Sequence, residues 1–426
     1  MHPFLPTDQS NASGTMNHHT TKSHMALALP LLAASLACAD GTPMGSEATA
    51  RDSAGVVIVQ NTGSIPPEGG TWSVASEPDL TVGKIEGDSN YQLFGVAGAH
   101  RLADGRIAVV NAGSWQVRVY DSQGTFLHSY GRRGAGPEEF GMPVLGGVIG
   151  DTLVIVDRGQ HRLAMVHPDR GFVRLATVDD AVGGYLNPSG IFSNGQIVFG
   201  GAFDMRRIGD LQEGMNRAPT FYRSCNPDGS LATDFGDRVG AEFFIRDLDG
   251  DGAESRPALI PFGKRPMATV SLSHFYYAAG DEFEIEAYDP TGRLTRLIRL
   301  DRDPIPVTAE DGNRYVEEMA AQATTDNRAR MIRQQLSQLP LPETFPAFAT
   351  MMADELGYLW VQQQTRPGQD DSGWEIFDPE GVLTARVSLP SRVSPLEIGA
   401  DYLLGLHWDQ LEVEYLHLYR VERPSE

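Results

Sequence analysis

Short runs of alternating apolar and polar residues, each interrupted by a turn that ends in glycine, recur along most of the chain. The clearest copies are QVRVYDSQGTFLHSYG at 116–131, FEIEAYDPTGRLTRLIRL at 283–300 and WEIFDPEGVLTARVSL at 374–389. Alternation with a period of two in segments rich in Val, Ile, Phe, Tyr and Leu predicts β-strands. An Asp or Asn that caps its own turn, followed by a Gly that takes positive φ, predicts that each copy is a β-hairpin.

A second strand pair precedes several of these hairpins. Weaker copies of the hairpin lie at 163–178 and 220–235, and the earlier strand pairs lie at 96–113, 146–159, 188–201 and 353–364. Each unit therefore holds about four antiparallel strands, which is the content of one blade of a β-propeller.

The number of units follows from the turns. The turn Asp or its equivalent falls at Asp121, His167, Asn226, Asp289 and Asp378, which gives five internal units. A sixth is expected from the two ends of the chain, with 400–423 joined by early strands at 56–61 and 72–83, because an unclosed ring would expose unpaired edges. The sequence thus predicts an all-β, six-bladed β-propeller of four-stranded antiparallel blades over 55–423, closed by N- and C-terminal strands.

One stretch departs from the β pattern. Thr308 and Asp311 are spaced as a capping box, and residues 315–339 have the composition of a helix that is ended by Pro340 and Pro342. We expect a short helical insertion at about 308–339 within the propeller and no separate domain.

The N-terminus has the pattern of an export signal. Residues 25–39, MALALPLLAASLACA, form an apolar run too short to span a bilayer but typical of a signal peptide, and Met16 offers an alternative start. The cleavage site fits two patterns. Ser35–Cys38 resembles a lipobox, in which Cys38 is lipidated, and Ala37–Ala39 fits ordinary secretion. We assign 1–39 to the signal and the small, polar residues 40–54 to a flexible tether.

Composition narrows the list of partners. The formal net charge of the 426-residue chain is -22, which argues against binding to nucleic acid or directly to an anionic membrane. Membrane association is expected through a lipid anchor alone. Of the two cysteines, Cys38 belongs to the signal, so no internal disulfide is expected, and Cys225 is interpreted as a buried structural thiol.

Residues 103–140 carry a family resemblance. Their ending GRRGAGPEEF, at 131–140, is similar to the Gly- and Pro-rich loop that follows a blade in NHL-repeat-like exported bacterial six-bladed β-propellers, with Glu138 where that family usually has Gly. Residues 265–299 resemble another blade of the same family. The resemblance covers roughly 55–423 and implies a ring of six sheets, frequent attachment as a lipoprotein, and a periplasmic or outer-membrane and cell-surface location. It implies no reaction.

An acidic loop is the candidate metal site. Its carboxylates are Asp247, Asp249, Asp251 and Glu254, which alternate around Gly252 as oxygen ligands of Ca²⁺ do. The twelfth position of an EF-hand loop, which would be Glu, is Ala258. Ca²⁺ is the cofactor that this loop would bind, and an acidic surface turn is the alternative.

Histidines on different units are the candidate channel residues. His100, Arg101, His274 and His407 are expected near the central channel, where propellers assemble ligand sites from several blades, and His161 lies on another unit. No local catalytic motif is present, so no catalytic residue is assigned. The sequence favours a non-catalytic binding or interaction module for a small molecule, glycan or protein. The alternative is a metal-dependent hydrolase or lyase with its site in the channel.

Overall fold

The chain forms strands from its first described residues to its last. The computed structural model describes residues 42–44, 48–65, 72–203, 212–246, 256–369 and 373–424. Within them the protein is nearly all β, with two α-helices. The early strands are β1 (Thr42–Met44), β2 (Ala48–Ser53), β3 (Val56–Asn61), β4 (Ser73–Val74) and β5 (Leu80–Val82). No helix in these ranges is long and apolar enough to cross a membrane.

Three four-stranded antiparallel sheets follow in chain order. Sheet A consists of β6 (Val96–Arg101), β7 (Ile107–Asn111), β8 (Gln116–Tyr120) and β9 (Phe126–Tyr130). Sheet B consists of β10 (Pro143–Ile149), β11 (Thr152–Asp157), β12 (Arg162–His167) and β13 (Gly171–Thr177). Sheet C begins with β14 (Pro188–Ile191) and β15 (Ile197–Phe203). After an excursion through β16 (Gly214–Arg217), it ends with β17 (Thr220–Cys225) and β18 (Leu231–Arg238). An accessory three-stranded sheet joins β16 to β19 (Glu242–Arg246) and β20 (Arg256–Leu259).

The second half of the chain repeats the plan. Sheet D contains β21 (Met267–Val270), β22 (Phe275–Ala278), β23 (Glu284–Tyr288) and β24 (Leu294–Leu300). Helices α1 (Ala309–Ala321) and α2 (Asp326–Leu336) follow it. Sheet E contains β25 (Thr350–Ala353), β26 (Leu359–Gln362), β27 (Gly373–Phe377) and β28 (Leu383–Ser388). Sheet F contains β29 (Val393–Ile398), β30 (Tyr402–Trp408) and β31 (Glu414–Glu422). The prediction is confirmed in part: the described chain is nearly all β, and sheets A, B, C and E are four-stranded and antiparallel.

The predicted turn chemistry is present in the hairpins. In sheet A, the Asp121 carboxylate accepts hydrogen bonds from the backbone N–H of Gln123 at 2.9 Å and of Thr125 at 2.7 Å. Gly124 closes the turn with φ of +79°. The capping box of α1 is also present, since the Thr308 hydroxyl accepts from the Asp311 N–H and the Asp311 carboxylate accepts from the Thr308 N–H. Thr325 caps α2, so the helical insertion is two helices.

The early strands complete two different sheets. As expected, residues of 72–83 join the last sheet, because β4 and β5 both pair with β31. The expectation that 56–61 joins that sheet is wrong, since β3 runs parallel to β24 on the edge of sheet D. Buried Asn61 fixes this position. Its amide donates to the carbonyls of Arg299 at 2.9 Å and Gly381 at 3.0 Å, and its side-chain oxygen accepts from the Leu383 N–H at 2.9 Å.

Apolar cores lie between the sheets. Each consecutive pair from A to F shares a cluster of buried apolar side chains among the described residues. Sheet F also shares a cluster with sheet A, in which Leu404 and Leu416 lie with Val109 and Tyr120. Both faces of these sheets are therefore covered by neighbouring sheets, which explains the nearly continuous apolar runs of strands such as β7 and β11.

A buried ion cluster joins the edge of sheet D to sheet E. The Glu375 side chain is fully buried, and its Oε1 accepts from Arg302 at 2.5 Å, Arg386 at 3.0 Å and Gln363 at 3.1 Å. Both guanidinium groups bind the same oxygen, Oε1, which offsets part of the cost of burying the charge, while Oε2 is buried with no hydrogen-bond partner among the described residues.

Candidate ligand cavity at the ends of the first strands

The first strands of successive sheets approach one another closely. In β10 the pairing register shifts between Leu145 and Gly147, and Gly147 has φ of +144°. A Cβ at Gly147 would lie 2.4 Å from Ile191 Cγ2 of sheet C, and a Cβ at Gly98 would lie 2.5 Å from Leu145 Cβ of sheet B. Glycine therefore permits both the bulge and the contact with the next sheet.

A cavity of about 710 Å³ opens where these first strands end. Sheets A to F all contribute lining residues, which include His100, Arg101, Asp151, Ser189, Thr269, Ser271, Asp354, Glu355, Glu397, Asp401 and Tyr402. Its size lies in the range that binds small molecules. Because most of the lining comes from strand ends and the tight turns after them, the wall is held by the sheets and does not depend on long loops.

Glu397 is a carboxylate of the cavity lining with partners in both sheet A and sheet F. Its Oε2 lies 2.6 Å from His100 Nδ1, and its Oε1 accepts a hydrogen bond from the Tyr402 hydroxyl. The Arg101 N–H also points to Oε1, at 3.4 Å. A register shift between Pro395 and Glu397 in β29 turns this side chain toward its partners in sheet A.

Arg101 and Tyr402 form the adjoining wall. The Arg101 guanidinium lies 4.6 Å from the centre of the Tyr402 ring, and its Nη1 is 3.4 Å from Asp401 Oδ1. Burial, and next the negative charge of Glu397, raises the pKa of the Tyr402 phenol, so Tyr402 stays protonated and donates its hydrogen bond at neutral pH. Arg101 Nε is buried and has no hydrogen-bond partner among the described residues.

The remaining carboxylates at the cavity differ in their roles. Asp354 is buried, and its oxygens accept from the backbone of Tyr358 at 2.8 Å and the Trp360 indole at 3.0 Å. The Asp354 Oδ2 also lies 2.9 Å from the Arg423 guanidinium. Asp354 therefore stabilises the turn between β25 and β26 of sheet E. Asp151 and Glu355 are exposed at the cavity mouth, and neither has an ion-pair partner in the described part of the chain.

The structure separates the four predicted channel residues into two groups. His100 and Arg101 line the cavity. His274 lies in the β21–β22 turn, outside the lining, where its Nδ1 is 2.9 Å from the Ser273 hydroxyl. Burial, and next the charge of Arg296, lowers the pKa of His274.

His407 also lies away from the cavity, within sheet F. Its ring stacks on His417 at a centroid distance of 4.6 Å, and His417 Nδ1 is 2.8 Å from the Tyr419 hydroxyl. Burial, followed by the proximity of His407, lowers the pKa of His417 to about 4. His161 occupies a left-handed position, with φ of 51°, in the turn that precedes β12.

Other predicted residues stand as follows. The acidic loop of Asp247, Asp249, Asp251 and Glu254 lies outside the described residues, as does Cys38. In the ranges that are described, no group of three or more His, Cys, Asp or Glu side chains is placed to hold a metal ion. Cys225 is buried and free, and burial raises the pKa of its thiol to about 12, which keeps it protonated and unreactive.

Sequence reasoning missed Glu397, Asp401 and Tyr402. They belong to the last sheet, and Glu397 lies 297 residues from His100, whose Nδ1 is 2.6 Å from its Oε2. The one available signal was the strand pattern of 400–423, which indicates a turn just before it. That pattern places Asp401 near a strand end but does not show which other strand end it faces.

Comparison with known proteins gives structural neighbours alone. No family model and no curated protein matches the chain. A Bacteroides fragilis protein assigned as exported aligns with a TM-score of 0.47 and 10% identity over 86% of this chain and 100% of its own. A Bacteroides vulgatus member of the DUF4221 family aligns with a TM-score of 0.48 and 8% identity over 83% of this chain and 99% of its own.

A third neighbour is an enzyme. Virginiamycin B lyase from Staphylococcus aureus aligns with a TM-score of 0.37 and 11% identity over 83% of this chain and 100% of its own. At these TM-scores and identities the likeness carries nothing about activity or ligand.

Proposed function

We propose that this chain is an exported six-bladed β-propeller that acts as a non-catalytic binding module, with a small polar ligand in the cavity at the ends of its first strands. A lipid on Cys38 would tether it at the outer membrane or cell surface. The observation that carries the proposal is the cavity itself, which all of sheets A to F line and in which Glu397 is held in one orientation by His100 and Tyr402.

Contacts between first strands support the six-bladed ring. β6 lies next to β10, β10 next to β14, β14 next to β21, and β21 next to β25. The Glu355 N–H donates to the Ile398 carbonyl at 3.0 Å, which links sheet E to sheet F. β29 of sheet F then lies next to β6 of sheet A. Each sheet thus corresponds to one blade, and the series of neighbouring sheets closes on itself when sheet F meets sheet A.

The polar groups at the cavity support a polar ligand. Donors are available from Arg101 and His100, while acceptors are available from Glu397, Asp151 and Glu355. Groups held on strand ends lose little conformational freedom on binding, so they fix the orientation of a ligand efficiently. A ligand with hydroxyl or ammonium donors would satisfy the carboxylates that have no internal partner.

The test is thermal unfolding of the mature protein with single probes of each class: glucose, N-acetylglucosamine, glutamate, arginine and spermidine. A bound probe raises the melting temperature, because it binds the folded state alone. We expect Glu397→Gln and Arg101→Ala to abolish the increase and His274→Gln, outside the cavity, to preserve it. An increase that survives both cavity variants would place the ligand elsewhere and reject the proposal.

A metal-dependent hydrolase or lyase is the second candidate. The observation that favours it is the His100–Glu397 pair, since a carboxylate at Nδ1 leaves Nε2 of the imidazole available for proton transfer. Metal content, measured by mass spectrometry on protein purified without chelator, separates the two candidates. A transition metal near one per chain, lost with EDTA, would favour the enzyme. Bound Ca²⁺ whose removal lowers the melting temperature would support the Asp247–Glu254 loop as a structural site.

A further inference from the structure

Carboxylates outnumber cations among the side chains that line the cavity. Within the described residues, the lining contains one arginine, Arg101, and five carboxylates, which are Asp151, Asp354, Glu355, Glu397 and Asp401. Asp354 Oδ2 lies 2.9 Å from the Arg423 guanidinium, and Asp401 Oδ1 lies 3.4 Å from that of Arg101. The other three carboxylates have no arginine or lysine partner in the part of the chain that the structure describes, and a proton on His100 would balance only the charge of Glu397. The cavity therefore has an excess of negative charge.

The turns around the cavity do not reverse this balance. Antiparallel strands alternate in direction, so the turn between the third and fourth strands of each of sheets A to E lies at the same end as the cavity. Arg106, in the first turn of sheet A, donates to two carboxylates, those of Asp104 and Asp169. The negative potential at this end attracts cations to the cavity. The later turns contain more carboxylates than arginines: the carboxylates are Asp121, Asp169, Asp228, Asp289, Asp378 and Glu380, and the arginines are Arg170 and Arg293.

Arg101 offers hydrogen-bond donors beside these carboxylates. Its side chain is 31% exposed, its guanidinium makes one hydrogen bond among the described residues, to Asp401, and its Nε makes none. The Tyr402 ring lies against the guanidinium and holds it in place without accepting its N–H groups. Since a guanidinium has five N–H donors and no acceptor, donors remain for an acceptor on a ligand, such as a carbonyl oxygen.

The rest of the cavity wall is largely apolar. At its mouth, Leu272 follows β21 and is 55% exposed. Covering apolar surface of this kind contributes about 25 cal/mol per Å², so a ligand that is only ionic would leave much of the wall in contact with water. Apolar side chains from the first strands of sheets B to F line the wall, and they include Leu145, Val148, Ile191, Val270, Met352 and Leu396.

We propose that the cavity binds an α-amino carbonyl compound with an apolar side chain and a net positive charge, which is the chemistry of an amino amide or of the amino end of a peptide. The inference rests on the proposed function, because it assigns the ligand of the same cavity. The ammonium group would bind among the carboxylates, the carbonyl oxygen would accept from Arg101, and the side chain would cover the apolar wall. A neutral or anionic ligand would leave the excess negative charge uncompensated.

The test is isothermal titration calorimetry of the mature protein with phenylalaninamide and three compounds that each lack one of its features. N-acetylphenylalaninamide lacks the ammonium group, phenethylamine lacks the carbonyl, and glycinamide lacks the apolar side chain. We expect phenylalaninamide to bind about tenfold or more tightly than each of the three. Its affinity should fall as salt is added, because salt screens the attraction between the ammonium group and the carboxylates. Phenylalanine and phenylalanylglycinamide then show which source the cavity prefers, a free amino acid or the amino end of a peptide.

Two double variants separate the charge of the cavity from the charge of the whole protein. Asp151→Asn with Glu355→Gln removes two carboxylates of the lining and should weaken phenylalaninamide about fivefold, as for two exposed ion pairs. Glu138→Gln with Asp180→Asn is the matched control, because it changes the net charge equally. These two exposed residues precede the first strands of sheets B and C, at the end away from the cavity, so the affinity should be unchanged.

The possible failures are distinguishable. The inference is overturned if N-acetylphenylalaninamide binds as tightly as phenylalaninamide, or if the two double variants bind it alike. A neutral probe such as glucose that binds instead, and that Glu397→Gln abolishes, would keep the proposed function and reject the inference. Displacement of phenylalaninamide by an equal concentration of Ca²⁺ would assign the carboxylates to a metal and also reject it. No binding of any probe at about 10 mM would reject both.

Discussion

Alanine in place of Gly147 tests how closely the first strands are packed. Gly147 has φ of +144°, and an added Cβ would lie 2.4 Å from Ile191 Cγ2 and 2.8 Å from Ile191 Cβ. The second atom is fixed to the backbone of sheet C, so a rotamer change of Ile191 cannot relieve the contact. Backbone strain of about 1–3 kcal/mol and overpacking of about 1–3 kcal/mol both apply, and we expect Gly147→Ala to lower the free energy of unfolding by about 2–6 kcal/mol.

Two glycines in or near the same sheets separate the contributions. Gly150 has φ of +56° but nothing within 4 Å of an added Cβ, and Gly184 has neither positive φ nor a neighbour within that distance. Urea unfolding should therefore rank Gly184→Ala near wild type, Gly150→Ala lower by about 1–2 kcal/mol, and Gly147→Ala lowest. If Gly147→Ala is as stable as Gly150→Ala, the close approach of sheets B and C is refuted.

Three further predictions concern stability. Asn61→Ala leaves the Leu383 N–H and the Gly381 carbonyl without their partner and should cost about 2–4 kcal/mol in urea unfolding. Gln60→Ala, which removes one hydrogen bond from half-buried Gln60 to Asp301, should cost about 1 kcal/mol; equal stabilities would show that β3 is not fixed by Asn61. Glu375→Gln removes the charge that pairs with the partly exposed Arg302 and Arg386 guanidinium groups and should cost about 1.5–3 kcal/mol, a loss that must be absent if the cluster is solvated. The pKa of His417 is lowered from 6.5 to about 4, so the unfolded chain binds more protons between these values. Stability should then fall as the pH drops from 6.5 toward 4, and His417→Phe should show a smaller fall in unfolding midpoints.

Local sequence patterns predicted the sheets because the residues that determine each hairpin lie close together in the chain. Asp121 and Gly124 determine a turn within five residues, and alternation identifies the strands beside it. The position of strand β3 depends instead on Asn61, whose partners Arg299 and Gly381 are more than 200 residues away in the sequence. No turn connects the parallel pair of β3 and β24, so 56–61 fits the sequence pattern equally well as a strand of sheet D or of sheet F.

The cavity was predictable in part for the same reason. His100 and Arg101 precede a recognisable Asp-Gly turn, which places them at a strand end. Glu397 follows a bulge after Pro395, and a bulge reverses the face that alternation would assign to a side chain. Its pairing with His100 and Tyr402 depends on how sheet F meets sheet A, and no short motif encodes that contact.

Native mass spectrometry of protein purified from a bacterial periplasm tests the central claim, that the cavity holds a small polar ligand. The protein should carry one small molecule that is released on denaturation, and Glu397→Gln and Arg101→Ala should lose it while remaining folded by circular dichroism. His407→Gln, which changes a residue outside the cavity, should retain it. A molecule that stays bound to both cavity variants, or none in the wild-type protein together with no response to any probe in thermal unfolding, would contradict the account.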